Sequence, residues 1–314
     1  MNQVERSKRI KERALELGFD RVGITDLAPT AHSSNLEAWL SAGMAGTMGY
    51  MARQLPKRRH PDKIVPGATH VVMLTWGYYS ADPPRPEGSG EVARYARGRD
   101  YHDALVGPLE SLATFLQSMG DSQTIAEAYI DAGPVPEREL AQRAGLGWIG
   151  KNTMLIEPKQ GSFFFIASVF TNLELHMDPP FDLDRCGTCT RCLEACPTQA
   201  FPEARVLDSR RCISYLTIEH RGPIEEDKQA LVRDWVFGCD ICQDVCPWNA
   251  KFAHATDDGT LGMTSELAFL DLQQLEALDQ ATFKHQYGWT PLERAGVEGM
   301  RRNAEFVRKN LGEA

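Results

Sequence analysis

The chain lacks any apolar run long enough to cross a bilayer. Its longest, such as Phe163 to Phe170, falls far short of the ~20 residues a spanning helix needs. A signal-peptide pattern is missing too: the opening MNQVERSKRIKERALELGF carries charge at helical spacing in place of an apolar stretch. We therefore expect a cytoplasmic protein with no membrane partner. There is no low-complexity tract, which excludes a disordered binder. Positive charge is in deficit, with 34 Lys and Arg against 43 Asp and Glu and a formal net charge of -9. That excludes a protein that coats nucleic acid by bulk charge but leaves room for a local basic site. The last absence is the most informative. The first 185 residues contain no cysteine, and all eight cysteines lie between Cys186 and Cys246. In a large chain expected to reside in reducing cytosol, such clustering points to metal ligation and not to disulfides.

What is present fits two domains, or one large domain with an insert, in 314 residues. Residues 4 to 17 predict an amphipathic helix with Val4, Ile10, Ala14 and Leu15 on its buried face. GFDRVGITD predicts a short strand, and HVVMLTW (70 to 76) a core strand. Helical spacing runs over 103 to 119 and stops at Gly120. A strand over 124 to 130, a helix over 136 to 144 and a buried strand over 162 to 170 follow. This mixture predicts an α/β or α+β domain over 1-177. Asp178-Pro179-Pro180 reads as a linker to a cysteine domain over 178-250, and 251-314 as a short helical C-terminal region with a basic stretch from Arg301 to Lys309.

The cysteines carry the strongest signal. Cys186-x2-Cys189-x2-Cys192-x3-Cys196-Pro197 matches the bacterial ferredoxin run, whose fourth cysteine ligates the other cluster. Cys239-x2-Cys242-x3-Cys246-Pro247 repeats the pattern of Cys189, Cys192 and Cys196. Ferredoxin geometry then assigns one 4Fe-4S cluster to Cys186, Cys189, Cys192 and Cys246. The second takes Cys196, Cys239, Cys242 and, by elimination, Cys212, which lies well upstream of Cys239 as if an insertion had split the run. Two structural zinc sites are the competing reading. Zinc favours separated C-x2-C pairs, so three cysteines in one tight loop fit it poorly.

About 180 residues precede the cysteines, enough for a catalytic domain. Four stretches in it stand out: KRRHP (57 to 61), RYARGRDYH (94 to 102), DAGP (131 to 134) and GLGWIGKN (145 to 152). Gly145, Gly147 and Gly150 have the spacing of a dinucleotide fingerprint, but they follow a helix and precede a strand. That inverted context argues against a nicotinamide site.

Taken together, KRRHP with VPGA, RYARGRDYH, DAGPVPERELAQRAGLGWIGKN, the eight cysteines and CISYLTIEHRG (212 to 222) resemble the epoxyqueuosine reductase family over essentially the full chain. The resemblance implies an α+β fold: a mixed α/β cobalamin-binding domain, a ferredoxin-like double-cluster domain and a short helical tail. Members often carry a longer helical-repeat tail. It also implies an oxidoreductase that reduces epoxyqueuosine to queuosine at the tRNA wobble position. Cobalamin would sit beside the nearer of two 4Fe-4S clusters, fed by an external electron donor. Asp131 matches the family's proton donor, and a carboxyl donor near neutral pH should be desolvated. Arg58, Tyr101, His102, Lys151, Asn152, Ser214 and Asp240 match residues expected near the corrin or the substrate. No D-x-H-x-x-G corrinoid motif is present, so cobalt is expected to have no protein histidine ligand, with His102 a polar neighbour.

For tRNA the acidic total demands a focused basic surface, with Arg205, Arg210, Arg211, Arg301, Arg302, Arg308 and Lys309 as candidates. The wobble nucleotide would be extruded into the pocket. A monomer is the expected state. Two alternatives remain at this level: a reductive dehalogenase-like corrinoid reductase, and a ferredoxin-type electron carrier whose front domain docks a partner.

Overall fold

The computed structural model describes residues 1–255 and 259–312. Its central element is the run HVVMLTWG, apolar on both faces and therefore covered on both. As β2 (His70–Gly77) it pairs antiparallel with β1 (Arg21–Asp26) on one side and with β7 (Phe164–Thr171) on the other. β4 (Ala126–Ile130) joins the far edge of β7, giving the antiparallel order β1-β2-β7-β4. Side chains alternate across a strand. Val72, Leu74 and Trp76 accordingly pack with Ile10, Leu109 and Leu112 from the helices Gln3–Glu16 and Val106–Ser118. Val71 and Met73 face the other way, onto Leu140 and Ala141 of the helix Glu137–Arg143.

The predicted elements lie within a few residues of the observed ones, with two differences. In the first helix Ile10 and Ala14 are buried, but Val4 and Leu15 are 60% and 52% exposed. Leu15 is one residue, and so ~100° of rotation, past Ala14 and leaves the buried stripe. The helix expected over 103 to 119 is broken at Leu105 into Tyr101–Ala104 and Val106–Ser118. Asp100 caps the short first piece by accepting from the His102 amide at 2.9 Å. Gly23 of β1 is where the sheet meets the end of the helix Glu137–Arg143. A Cβ there would stand 2.1 Å from the Ala144 carbonyl oxygen, so only glycine permits the approach.

A second sheet joins three distant stretches of the chain. β3 (Ser89–Val92) is flanked by β8 (Trp235–Phe237), parallel to it, and by β9 (Phe269–Asp271), antiparallel. One strand thus comes from each of the three segments. Their shared core runs from Val92 through Val236 and Phe237 to Leu270, Met300 and Val307. The short strands β5 (Trp148–Ile149) and β6 (Leu155–Ile156) form a hairpin beside the cysteines. Asp178 is stitched to the edge of β1: its amide donates to the Ile24 carbonyl at 2.9 Å, and its carboxylate accepts from the Ile24 amide at 2.8 Å. Among the described residues no helix is long and apolar enough to cross a membrane.

Candidate active site and cluster region

β4 ends at Ile130, and Asp131 turns the chain out of the sheet with φ +44°, a left-handed conformation costly for a residue with a Cβ. Gly133, at φ +86°, continues the turn toward the helix Glu137–Arg143. Three contacts hold this loop. The Asp131 amide donates to Glu137 Oε1 at 2.9 Å, and the Tyr101 hydroxyl donates to Asp131 Oδ2 at 2.5 Å. The Arg58 guanidinium donates to the carbonyls of Val135 and Gly133, at 3.2 and 3.4 Å. Arg58 Nε is buried and has no partner.

The loop opens onto a cavity of about 1850 Å³, well beyond the ~300–1,000 Å³ of ordinary small-molecule sites. Five residues expected near the corrin line it: Arg58, Tyr101, His102, Asp131 and Ser214. Tyr101 stacks between Phe165 and His102, with ring centroids 4.1 and 4.2 Å away. Burial first, and the Asp131 charge second, push its phenol far up, so Tyr101 stays a donor. Asp100 accepts from His102 Nδ1 at 2.7 Å and raises the His102 pKa against the opposing effect of burial.

Asp131 itself is exposed on the cavity wall, because the turn carries it out of the sheet into an open space, so the protein alone does not desolvate it. Glu137, also on the wall, is the functional candidate that sequence reasoning did not single out. Burial and then the Asp131 carboxylate push its acid up to about 8. The only signal was its place six residues after Asp131 in the DAGPVPER run.

Lys151, Asn152 and Asp240 lie elsewhere. Lys151 Nζ donates to the carbonyls of Gly187 and Cys189, at 2.7 and 2.9 Å. Asn152 Nδ2 donates to the Cys242 carbonyl at 3.2 Å. Adjacent residues of one loop thereby reach both cysteine segments. Asp240 is 1% exposed and accepts from the Arg94 amide at 2.7 Å, within a network that includes Asp82 and Asp244.

The cysteines form two neighbourhoods. Burial and the nearby thiols of Cys186, Cys246 and Cys189 push Cys192 up. In the other group, burial dominates for Cys212, Cys239 and Cys242. Cys196 adds to the effect on Cys212, Cys242 and Cys212 to that on Cys239, and Cys212, Cys192 and Cys196 to that on Cys242. Cys242 and Cys192 are thus the point where the neighbourhoods meet. The helices Arg191–Ala195 and Ile241–Asp244 pack together there. Cys212 itself lines the large cavity.

The basic candidates divide. Arg205 lines the cavity and pairs with Asp184, Arg210 pairs with Asp208, and Arg211 is exposed. In the C-terminal set Arg302 and Arg308 are half-buried, whereas Arg301 and Lys309 are exposed. Arg302 donates to the carbonyls of Leu216, His220 and Gly222, and burial lowers it to about 10. Arg301 donates to the Glu276 carbonyl, Arg308 pairs with Glu276 and Lys309 with Glu305. Through Arg302 and Arg308 the helix Gly296–Asn310 holds its own surroundings.

Residues 185–249 match the 4Fe-4S double cluster binding domain, and residues 58–132 match the epoxyqueuosine reductase model, DUF1730. The chain is 42% identical over 300 residues to an epoxyqueuosine reductase of Pseudomonas aeruginosa, covering 94% of this chain and 82% of that one. It is 39% identical over 312 residues to that of Cyclobacterium marinum, covering 98% and 99%. Among solved structures, an epoxyqueuosine reductase with an epoxyqueuosine-modified tRNA-Tyr stem loop superposes with a TM-score of 0.91 at 29% identity, over 100% of this chain and 83% of that one. A Bacillus subtilis epoxyqueuosine reductase, crystallised with its catalytic aspartate loop swung out of the active site, gives 0.90 at 29% identity, over 100% and 83%. This chain belongs to the epoxyqueuosine reductase family of oxidoreductases.

Proposed function

We propose that this chain reduces epoxyqueuosine to queuosine at the wobble position of tRNA in the cytoplasm, using cobalamin in the large cavity and two 4Fe-4S clusters. The observation that carries the reading is one cavity shared by a cluster cysteine, Cys212, and the Asp131–Tyr101 pair. The cavity is large enough for a macrocycle together with an extruded nucleotide. Arg58, with its unpartnered buried Nε, together with Tyr101, His102 and Ser214 would hold the corrin. Bound there, cobalamin supplies a strongly reducing centre for cleaving a carbon–oxygen bond.

The chain's own residues do the rest. Converting the epoxide to an alkene takes two electrons and two protons and releases the oxygen as water. Asp131 holds a proton for that oxygen, and Tyr101 orients the carboxyl by donating to Oδ2. An exposed Asp131 becomes a competent acid once cofactor and nucleotide fill the cavity and remove its water. Cys186, Cys189, Cys192 and Cys246 hold one cluster, and Cys196, Cys212, Cys239 and Cys242 the other. Lys151, Asn152 and Asp240 fix the cluster loops against the front domain. Arg205, Arg210 and Arg211 offer phosphate contacts, so tRNA affinity falls steeply with salt.

The test is anaerobic reconstitution with iron, sulfide and cobalamin, followed by nucleoside analysis of epoxyqueuosine-containing tRNA. About eight irons per chain, one cobalt, and queuosine formed only with all components are expected. Bound cobalt without queuosine would reject the substrate. Iron without cobalt would reject the cavity's assignment.

A further inference from the structure

Both cysteine groups lie beside an opening, and the two openings differ in kind. Cys212 faces the large cavity, whereas Cys186, Cys189, Cys192 and Cys246 all line a separate recess of about 390 Å³. Part of that recess is the seat of a cluster. Four cations, Lys151, Arg185, Arg191 and Lys251, stand around it with Trp248 and Phe252, and no carboxylate lines it. Lys151 is committed to backbone carbonyls. The other three are exposed, and among the described residues none makes an ion pair. Arg185 lies 5.6 Å over Phe181 and Lys251 lies 5.0 Å over Phe252, so aromatic rings support both charges at the rim. Of the nearby acids, Asp184 pairs with Arg205, Glu194 accepts from Thr190, and Asp182 lines the large cavity and not this recess. In a chain of net charge -9, a recess with cations and no carboxylate runs against the average.

We propose that this rim is the docking face for an acidic one-electron carrier protein, which delivers electrons to the cluster held by Cys186, Cys189, Cys192 and Cys246. The inference rests on the two-cluster reading above and adds the entry point and the partner's chemistry. At each encounter the reduced carrier loses one electron and this cluster gains it. The electron passes where the helices Arg191–Ala195 and Ile241–Asp244, which carry Cys192 and Cys242, pack together, and reaches the cluster that includes Cys212, at the cavity. Two encounters supply the two electrons of one turnover. Charge complementarity selects the partner, because a rim of unpaired cations beside an apolar floor steers an acidic surface and repels a basic one. Small redox interfaces of this kind form and part quickly.

The experiment follows cluster bleaching by stopped flow in the reconstituted full chain, with a reduced, acidic plant-type ferredoxin as the probe. The second-order rate constant should fall at least ~10-fold between low and moderate salt, and by a similar factor in R185E/R191E/K251E. R185Q/R191Q/K251Q should lie between. The triple variant should keep its iron, its cluster potentials and its rate of reduction by photoreduced deazariboflavin, a small uncharged reductant. Salt-independent rates, or equal rates in wild type and the charge-reversed variant, would overturn the proposal. So would a matching loss with deazariboflavin, which would place the cations' effect on the cluster itself. Lost affinity for a tRNA stem loop with an unchanged ferredoxin rate would make the rim a nucleic-acid contact. A chain that takes up no iron rejects the two-cluster reading before any rate is measured.

Discussion

The two walls of the large cavity are built on different terms. On the cluster side, Tyr215 is 7% exposed and its hydroxyl accepts from the Thr47 amide at 2.8 Å, beside Cys212 in a short helix packed on the shared core. On the sheet side, Asp131 is exposed, sits at φ +44°, and is held by a few hydrogen bonds that can open one at a time. The Cys212 side is thus packed into a core, whereas the Asp131 side is an exposed turn held by hydrogen bonds. Under the proposed function, an exposed donor turn suits the entry of a bulky nucleotide, and a packed wall suits electron transfer over a constant distance. In the Bacillus subtilis relative the catalytic aspartate loop is swung out of the active site.

Four substitutions sharpen or break this contrast. Asp131→Asn should cut queuosine formation by roughly 10²–10⁴-fold while iron and cobalt contents stay unchanged; undiminished turnover by nucleoside analysis would remove Asp131 from the proton step. Gly23→Ala sets a methyl 2.1 Å from the Ala144 carbonyl and pushes the helix that carries Glu137 off the sheet. A loss of about 1–3 kcal/mol is expected, read as a fall in the thermal midpoint. Tyr101→Phe removes the donor to Asp131 Oδ2 but keeps the stack on Phe165, and should slow turnover about tenfold. If the cluster-side wall alone positioned the substrate, the rate would not change.

The smallest effect concerns Glu137. Its acid is raised to about 8 in the folded chain, above the ~4.3 of an unfolded glutamate. Such a group contributes stability that is complete below the unfolded value and is lost as pH rises through the folded one. Glu137→Gln keeps an acceptor for the Asp131 amide and has no proton to lose. Its thermal midpoint should therefore fall less than that of wild type between pH 6 and pH 8.5. An equal fall in both would show that Glu137 does not lose its proton over this range.

The sheet was largely legible because its strands announce themselves locally. HVVMLTW and SFFFIASVF are runs of apolar and β-branched residues, and Gly145 ends its helix at φ +80° as the spacing implied. The helices Ser33–Ser41 and Gly49–Arg59, which border the cavity, were not predicted. Neither has a buried residue, and the second contains Pro56, so no apolar stripe marks them. The β3-β8-β9 sheet was invisible for another reason: strands of three or four residues gain their identity from partners far along the chain. Arginine numbers 301, 302 and 308 show the limit of reading charge. Sequence displays a cationic stretch, and only the packing reveals that carbonyls and Glu276 have already claimed it.

That small sheet also sets a timetable. β3 is the middle strand, yet its flanking strands emerge from the ribosome some 140 and 180 residues later. At ~5–20 residues per second this is on the order of ten seconds or more of waiting. The thiols of the 186–196 loop are made during that interval, before those of 239–246 that complete each set of four. The last thiols therefore appear at the same late stage of synthesis as the strands that close this sheet, and a nascent chain halted before residue 269 would present an unpaired edge of β3 to its neighbours.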